Sequence, residues 1–512
     1  MGRGWAVVFT PTPNVVETRL FNALAVGENM SRFAFDVNVA FLNAESTEEE
    51  RIPVRMPEGC RKYCPKTGQE LYGLLKKNLY GSPLAPKNWA KCRDQFMREL
   101  NQRDGWTVKQ MNYAPCMWSI DLDNGGTTER TYVLIHTDDI DGITRNPAHG
   151  VAIKDAFDKR FGVKVVDPRF MLGNERKLYE VDGVRYCHVT QVGKIEEVWE
   201  EFGKHCEQVR KLDRPCVNFD FVSAAGQPLG VNEAERDDVI QRGYRGLIGG
   251  LLWPARNSTP GIQTAVSRLC RCMQQPSYKA WTAALQVLQW LYHNREEGIT
   301  FRSDGNQQLR CFYDSGHYQR EVDDDGRQDY KNTYGFVIYW YNGPISWASK
   351  RHDHVGLSAP EDEYMALGHA GREVVWLRNL LAEMGLEQYL QEPTIIEGDN
   401  LQANRWASSD LITTGNKFIE RDYFKVKEWI EAGYMEPRHV PGKENPADLL
   451  TKIVDVPTQQ HLGPWLSGKK MLNEPGPALK DMRPKEKTGK VNCACASCSE
   501  VQQMWWQRTW MV

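Results

Sequence analysis

Apolar and polar positions in the first half of the chain predict strands that end at acidic residues. Residues 32–42 (RFAFDVNVAFL) are rich in β-branched and aromatic side chains, which is typical of a strand leading into a turn or helix, and Asp36 is the single acid in this run. Two further apolar runs, 131–135 and 140–143, are separated by His136-Thr137-Asp138-Asp139. This spacing predicts a β-hairpin with two aspartates at its tip.

Helical periodicity dominates the middle of the chain. Residues 71–103 have a helical pattern that Gly and Pro interrupt at 81–86, residues 151–205 alternate between helix and strand patterns, and residues 241–297 are strongly helical. A polar patch at 303–306 predicts a boundary. Beyond it, strands followed by alternating helices and strands predict a mixed α/β domain. Its expected elements are strands at 309–313, 334–341 and 345–349 and a long helix at 358–384.

Length and composition restrict the class of protein. A chain of 512 residues is too long for one hydrophobic core, so two to four domains are expected. Apolar residues make up 41% and charged residues 26%, which is ordinary globular composition. There is no apolar run long enough for a bilayer and no signal-peptide core, and the 13 scattered cysteines indicate reduced thiols. We therefore expect a cytoplasmic or nuclear protein that is not secreted and has no membrane partner.

The charge balance bears on nucleic-acid binding. The net charge of −3 excludes a polycation, so a nucleic-acid partner requires a local basic surface. Residues 61–109 are the candidate, because eleven basic residues oppose four acidic ones there, a net charge of +7. Taken alone, such a run is more often a solvated helical face.

Asp36, Asp138 and Asp139 are candidate metal-binding and catalytic residues for nucleotidyl transfer. This chemistry uses two metal ions held by carboxylates on rigid strands. Each of these acids lies at the end of an apolar strand, where a purely structural residue is rarely Asp. An isolated Asp-Asp pair is nevertheless usually an ordinary hairpin turn.

The second half offers four further acids for two-metal phosphodiester hydrolysis. Asp314 ends an apolar strand, Glu363 lies in the first turns of an amphipathic helix, Asp399 follows the strand that begins at 394, and Asp448 begins a short helix. Three of them have a structural alternative: Asp399 and Asp448 as helix N-caps, and Glu363 as a surface acid favoured by the helix dipole.

Several segments resemble, in the same order, motifs of the reverse transcriptase and ribonuclease H portion of copia-type LTR retrotransposon Pol polyproteins. The resemblance extends over about residues 9–455. In the first half, residues 35–43 (FDVNVAFLN) are similar to the first palm motif, 57–59 (PEG) to PEGF, 79–89 (LYGSPLAPKNW) to SLYGLKQAPRxW, 132–139 to the hairpin YVDD, and 244–260 to YRSxVGSLMYLxxxTRPD.

The second half carries the ribonuclease H motifs of the same family. Residues 345–351 resemble ISWxSKxQ, 357–367 LSTTEAEYMAL, 373–378 EAIWLRxLL, 398–403 CDNQSA, and 447–452 ADILTK. Asp314, Glu363, Asp399 and Asp448 all fall on the family's ribonuclease H positions. The resemblance therefore implies that these four residues are catalytic and bind metal.

The resemblance implies an α+β multidomain chain with two activities. A palm-type (right-hand) polymerase domain with a helical thumb or connection is expected first, and a mixed α/β ribonuclease H-like domain second. Expected limits are 1–205 for the reverse transcriptase palm with truncated fingers, 206–304 for the thumb- or connection-like region, 305–455 for ribonuclease H and 456–512 for a linker and disordered tail. The implied partners are RNA template, DNA primer, RNA/DNA hybrid and dNTP, with Mg²⁺ or Mn²⁺ as cofactor.

Departures from the family pattern leave alternatives open. His136-Thr137 stands where the family has Tyr-Val, and basic fingers residues are missing, so weak polymerase activity is expected. Phe418 replaces a His. The alternatives are a ribonuclease H with a dead polymerase and a non-catalytic nucleic-acid-binding relic. A DDE integrase shares the ribonuclease H-like fold, but the four acids and the preceding polymerase motifs disfavour it.

Two local features of the sequence bear on metal binding. No Lys or Arg lies within three positions of Asp314 or Asp399, which favours a metal ion as the group that neutralises the acids. Cys493, Cys495 and Cys498 form a cluster that lacks a fourth zinc ligand nearby, so a metal-free tail is expected.

Overall fold

The structure, a computed structural model, describes residues 10–123, 128–206, 209–216, 218, 221–222, 230–316, 332–408 and 420–477. Phe418 and the cysteines of the tail lie outside these residues. None of the helices in the described ranges is long and apolar enough to cross a bilayer.

The first section of the chain is built on a six-stranded antiparallel sheet with the strand order β10-β1-β9-β8-β7-β6. Its elements are α1 (Val15–Gly27), β1 (Ser31–Val37), α2 (Ala40–Asn43), β2 (Pro53–Val54), β3 (Lys62–Tyr63), β4 (Glu70–Leu71), β5 (Gly73–Leu74), α3 (Ala85–Glu99), β6 (Trp106–Gln110), β7 (Met117–Asp123), β8 (Thr128–His136), β9 (Asp139–Thr144), α4 (Pro147–Phe161) and β10 (Val163–Val165). The predicted hairpin is confirmed, because β8 pairs with β9 and His136 faces Asp139.

One helix prediction in this section is wrong in its first part. Residues 70–74 form short strands, and the helix begins only at Ala85. The reason is local: Gly81 has a φ of 88°, which ends regular structure, and Pro86 lies in the first turn of α3, where its missing N–H costs nothing.

The middle section combines a small sheet with a helical bundle. The sheet has the strand order β11-β12-β13-β14, and the helices pack on one another through a separate apolar core. The elements are β11 (Phe170–Met171), β12 (Asn174–Val181), β13 (Val184–Thr190), α5 (Val192–Phe202), α6 (Glu233–Gln241), α7 (Tyr244–Asn257), α8 (Gln263–Arg271), α9 (Tyr278–His293) and β14 (Ile299–Arg302).

The last section is a mixed five-stranded sheet with the order β17-β16-β15-β18-β19. The pairs β17–β16 and β16–β15 are antiparallel, whereas β15–β18 and β18–β19 are parallel. The elements are β15 (Arg310–Gly316), β16 (Thr333–Trp340), β17 (Gly343–Arg351), α10 (Ala359–Glu383), β18 (Thr394–Gly398), α11 (Leu401–Ser408), α12 (Glu420–Glu431), β19 (Met435–His439), a 3-10 helix (Pro446–Leu450) and α13 (Val456–Leu466).

The expected linker after residue 455 is wrong for its first part. Helix α13 packs into the core with Leu462, Trp465 and Leu466 buried. The following residues also contact the fold, since Asn342 Nδ2 donates to the Gly468 carbonyl at 3.0 Å. The sequence hid this helix because two prolines and a glycine give it the composition of a linker.

The first and last sections share one apolar core, which runs from α1 through β7 and β8 to the five-stranded sheet. At the end of α10 the Met384 carbonyl accepts hydrogen bonds from Arg130 and from the Tyr132 hydroxyl, both at 2.8 Å. The adjacent Glu383 carboxylate accepts the backbone N–H groups of Asn112 and Tyr113. These contacts fix the five-stranded sheet against the six-stranded one.

Glu17 makes the stability of this shared core depend on pH. It is 5% exposed on α1, and burial raises its pKa to about 7 despite a hydrogen bond at Asn14. The folded chain therefore holds the proton to a higher pH than the unfolded chain does, so stability is lost as pH rises from about 4.5 to about 7.

We expect Glu17→Gln to be more stable than the parent chain at pH 8 by about 3 kcal/mol, and equal to it near pH 4. Urea unfolding at the two pH values measures the difference. Glu49→Gln, at an exposed acid, is the control and should leave both values unchanged. An equal effect of Glu17→Gln at both pH values would contradict this account.

Candidate functional site

Two parallel neighbouring strands bring Asp314 and Asp399 to one edge of the five-stranded sheet. In β15 and β18, Phe312 and Glu397 are register partners. Asp314 lies two residues after Phe312, and Asp399 lies two residues after Glu397, so both acids leave the sheet at the same level. This arrangement could not be read from the local sequence, because Asp314 and Asp399 are 85 positions apart in the chain.

Asp448 reaches the same edge through the 3-10 helix. Asn445 caps that helix by accepting the Ala447 N–H at 3.1 Å, and its Nδ2 donates to the Tyr313 carbonyl in β15 at 3.0 Å. The helix lies directly on β16, because a Cβ added at Gly335 would be 2.6 Å from the Leu450 side chain. Asn445 and Gly335 therefore hold Asp448 next to β15.

The three acids form a compact group of oxygen ligands. One carboxylate oxygen each of Asp314, Asp399 and Asp448 lies within 4.8 Å of the others. Glu363, in the second turn of α10, is 6% exposed and lies beside this group without belonging to its closest set. Its Oε2 atom is buried with no hydrogen-bond partner among the described residues.

Mutual repulsion and burial disfavour ionisation of this group. Burial and then Asp314 raise the pKa of Asp448 to about 7, although Lys452 opposes the shift. Burial and then Asp314 also raise the pKa of Asp399. For Glu363, burial followed by Asp314 and Asp399 raises the pKa well above its usual range, as expected for carboxylates that share a site.

The structure supplies a compensating cation that the sequence analysis missed. Lys452 Nζ lies 3.0 Å from Asp448 Oδ1 and 3.6 Å from Asp314 Oδ2. The sequence argument, which favoured a metal ion because no Lys or Arg lies near Asp314 or Asp399 in the sequence, did not take Lys452 into account. It considered only positions near Asp314 and Asp399, whereas Lys452 is four residues after Asp448, and this i, i+4 spacing was the available signal.

Further polar residues behind the acids also escaped the sequence analysis. The buried Tyr313 hydroxyl donates to Asn404 Oδ1 at 2.7 Å, and Asn404 Nδ2 donates to the Gly398 carbonyl at 2.9 Å. Gly398 is required here, because an added Cβ would lie 2.3 Å from the Tyr313 ring. On the other side of the acids, the Thr451 hydroxyl donates to Asp314 Oδ2.

The other candidate acids lie at the β8–β9 hairpin. Asp36 in β1 and Asp139 in β9 are register partners, and the Val37 N–H donates to the Asp138 carbonyl at 3.0 Å. Burial and then Asp138 raise the pKa of both Asp36 and Asp139. Among the described residues, these three acids do not form a ligand group as close as the one at Asp314.

The hairpin turn is held by residues from the segment that follows the short strands. Trp89 Nε1 donates to the Thr137 carbonyl at 2.7 Å. Thr137 has a φ of 57°, an unfavourable backbone conformation for a β-branched residue. Behind the turn, Asp141 forms buried ion pairs with Arg32 and Arg176.

Comparisons with known proteins extend over most of the chain. No family model matches it. The retrovirus-related Pol polyprotein from transposon TNT 1-94 of Nicotiana tabacum is 25% identical over 448 residues, which are 87% of this chain and 32% of the polyprotein. The Pol polyprotein from transposon RE2 of Arabidopsis thaliana is 27% identical over 465 residues, which are 88% of this chain and 28% of that polyprotein. The chain thus spans about a third of the length of these relatives.

Among solved structures, LC11-RNase H1, isolated from compost, covers 28% of this chain and 94% of its own, with 16% identity and a TM-score of 0.22. The sequence relatives match nearly nine-tenths of the chain. Over most of its length the chain is therefore similar to retrovirus-related Pol polyproteins from transposons.

Proposed function

We propose that the chain is a two-metal ribonuclease H that hydrolyses the RNA strand of RNA/DNA hybrids, joined to an RNA-directed DNA polymerase of low activity. The observation that carries the proposal is the meeting of Asp314, Asp399 and Asp448 within 4.8 Å from three separate elements. No local folding requirement brings three carboxylates together at this cost in repulsion. We retain the domain limits expected from the sequence, with the ribonuclease H unit extended through α13.

The residues of this group fit a hard divalent cation, and Mg²⁺ or Mn²⁺ is the cofactor we propose. Carboxylate oxygens are the ligands that both ions prefer. The buried, unpartnered Oε2 of Glu363 beside the group offers a further oxygen. When bound, such ions activate a water molecule and neutralise charge on the phosphate. The chain's own part is to hold Asp314, Asp399 and Asp448 in place through Asn445, Asn404 and the register of β15 and β18.

We propose an RNA/DNA hybrid as the substrate, recognised by its minor-groove shape and 2′ hydroxyls. RNA template and DNA primer are the corresponding partners of the polymerase section. The surface that supports nucleic-acid binding there is the segment 61–109, which has a net charge of +7. Tyr63, Tyr72 and Tyr80 are about half exposed in or beside its short strands, where bases can stack on them.

The test is cleavage of four matched substrates by the full chain with Mg²⁺: a hybrid, the single-stranded RNA, the RNA duplex and the DNA duplex. We expect cuts in the RNA strand of the hybrid alone, and loss of cleavage when EDTA removes the metal. Equal cutting of single-stranded RNA would point to a nonspecific nuclease. Binding of the hybrid without any cleavage would support the non-catalytic relic.

Low polymerase activity follows from the residues around Asp138 and Asp139. His136 faces Asp139 where the family has Tyr, which is expected to pack near the primer terminus. Ser82-Pro83-Leu84 stands where the family segment has Leu-Lys-Gln, so one cation and one amide are absent. Tyr80 lies two residues before Ser82. Burial raises the pKa of its hydroxyl, and the nearby Asp138 and Asp36 raise it further.

We expect His136→Tyr to increase primer extension about tenfold, because an aromatic ring at this position orients the primer terminus. Extension of a DNA primer on an RNA template, with dNTP and Mg²⁺, measures the effect. The same change combined with Asp139→Asn is the control and should give no extension. Robust processive extension by the unmodified chain would show the proposed low activity to be wrong.

A further inference from the structure

Lys452 contacts the same oxygen atoms that the proposed metal site uses. Its ammonium group is 3.0 Å from Asp448 Oδ1 and 3.6 Å from Asp314 Oδ2. The contact with Asp448 is short enough for a hydrogen bond, whereas the contact with Asp314 is a longer ion pair.

The position of Lys452 relative to solvent allows it to leave. Its side chain is 41% exposed, whereas the side chains of Asp314 and Asp448 are 1% and 13% exposed. The ammonium therefore lies at the open side of the acidic group, on a flexible four-carbon stem. Thr451, by contrast, is buried and donates its hydroxyl to Asp314 Oδ2.

The negative charge of the acids explains why the contact with Lys452 would affect metal binding. Asp314, Asp399, Asp448 and Glu363 carry a formal charge of −4 when ionised, and the ion pairs of the described residues provide Lys452 as their cation. An ammonium and a divalent ion cannot both occupy the space between Asp314 Oδ2 and Asp448 Oδ1, because two cations so close together repel each other strongly.

We propose that Lys452 is a built-in counter-ion that competes with the divalent cation for Asp314 and Asp448. Without metal, it holds the acids together; with metal, it moves to the solvent side. It thereby sets the cation concentration at which the site fills. The inference rests on the proposed metal-dependent function and adds a positioning residue to it.

The experiment is titration of the full chain with Mn²⁺ alone, without nucleic acid, with free Mn²⁺ followed by its electron paramagnetic resonance signal. We expect Lys452→Met to bind Mn²⁺ about tenfold more tightly than the unmodified chain, because the competing charge is gone. Lys452→Arg keeps the charge and should bind like the parent. Lys425→Met removes a lysine of similar exposure, paired with Glu428 on α12, and should change nothing.

A second readout separates competition from a merely structural role. In EDTA, Lys452→Met should unfold at a lower temperature than the parent, and saturating Mn²⁺ should remove the difference. Lys452→Gln repeats both measurements should the Met variant fail to fold. A structural lysine would instead weaken Mn²⁺ binding when replaced.

The outcomes distinguish this inference from the function on which it rests. Mn²⁺ binding by the parent chain, with equal or weaker binding by Lys452→Met, overturns the counter-ion role alone. Absence of Mn²⁺ binding in both folded proteins overturns the metal site and the counter-ion role together. Binding by Lys452→Met that exceeds binding by the parent supports both.

Discussion

Asp399→Asn is expected to lower cleavage of the RNA strand of a hybrid by about 10³-fold or more, which corresponds to roughly 4 kcal/mol in the activation free energy. The amide keeps the size and shape of the side chain but removes one of three charges that meet within 4.8 Å. Because burial and Asp314 already raise the pKa of Asp399, loss of its charge relieves repulsion, and the metal-free fold should not lose stability. Initial cleavage rates at saturating Mg²⁺, together with thermal unfolding in EDTA, measure the two effects.

Glu392→Gln is the matched control for this prediction. Glu392 is an exposed acid of the same domain, near the start of β18 and away from the acidic group. Its replacement should leave both cleavage and unfolding unchanged. Cleavage by Asp399→Asn at an undiminished rate would remove Asp399 from the proposed mechanism, whereas cleavage lost equally in both variants would point to a nonspecific effect on folding.

Local sequence patterns were sufficient for elements whose signal lies within a few residues. The β8–β9 hairpin follows from two apolar runs around His136-Thr137-Asp138-Asp139, and its pairing confirms the prediction. The run at 32–42, predicted as a strand that leads into a turn or helix, forms β1 and then α2, and the predicted long helix at 358–384 is α10. Alternation and helical periodicity depend on near neighbours, so these elements could be predicted. Helix α3 shows the limit of this approach. The helical pattern extended back to residue 71, but the helix begins only at Ala85, after Gly81 and Pro83.

The environment of the candidate acids depends on contacts between distant segments, so most of it could not be predicted. The sequence suggested which acids to consider, but not that Asn404 and Asn445 would both form hydrogen bonds with Tyr313 of β15. The missed Lys452 shows the same limit in electrostatics, since the cation that pairs with Asp314 is 138 positions away in the chain. Only the register of β15 against β18 and the packing of the 3-10 helix make these residues neighbours.

The shared core has the same origin, since it joins residues on both sides of the boundary that the sequence analysis placed near residue 304. Arg19 of α1 stacks on Trp347 of β17 at 3.6 Å, and Trp347 Nε1 donates to the Ala255 carbonyl of α7 at 3.0 Å. Three sections of the chain therefore meet at one tryptophan. A boundary based on the polar patch near residue 304 does not take such contacts into account, because they join residues on opposite sides of the patch in the sequence.

Trp465→Ala is expected to lower the free energy of unfolding by about 3–5 kcal/mol, although the residue lies beyond the limit predicted for the ribonuclease H domain. Trp465 is 3% exposed on α13 and lines a small cavity with Arg310, Phe312 and Glu397. Its loss leaves a void against a buried ion pair, Arg310–Glu397, whose N···O distance is 2.6 Å. A change of this size is a large fraction of the total stability of a typical domain.

Gln460→Ala on the exposed face of α13 is the control and should change the unfolding free energy by less than about 0.5 kcal/mol. A chain ending at residue 455 should show the stronger effect and fail to fold, because it also lacks Leu462 and Leu466, both buried, and the Gly476 N–H that Glu397 accepts at 3.0 Å. Urea unfolding and resistance to proteolysis measure all three proteins. If the chain ending at 455 unfolded at the same urea concentration as the full chain, α13 would be a dispensable appendage, as its linker-like composition first indicated.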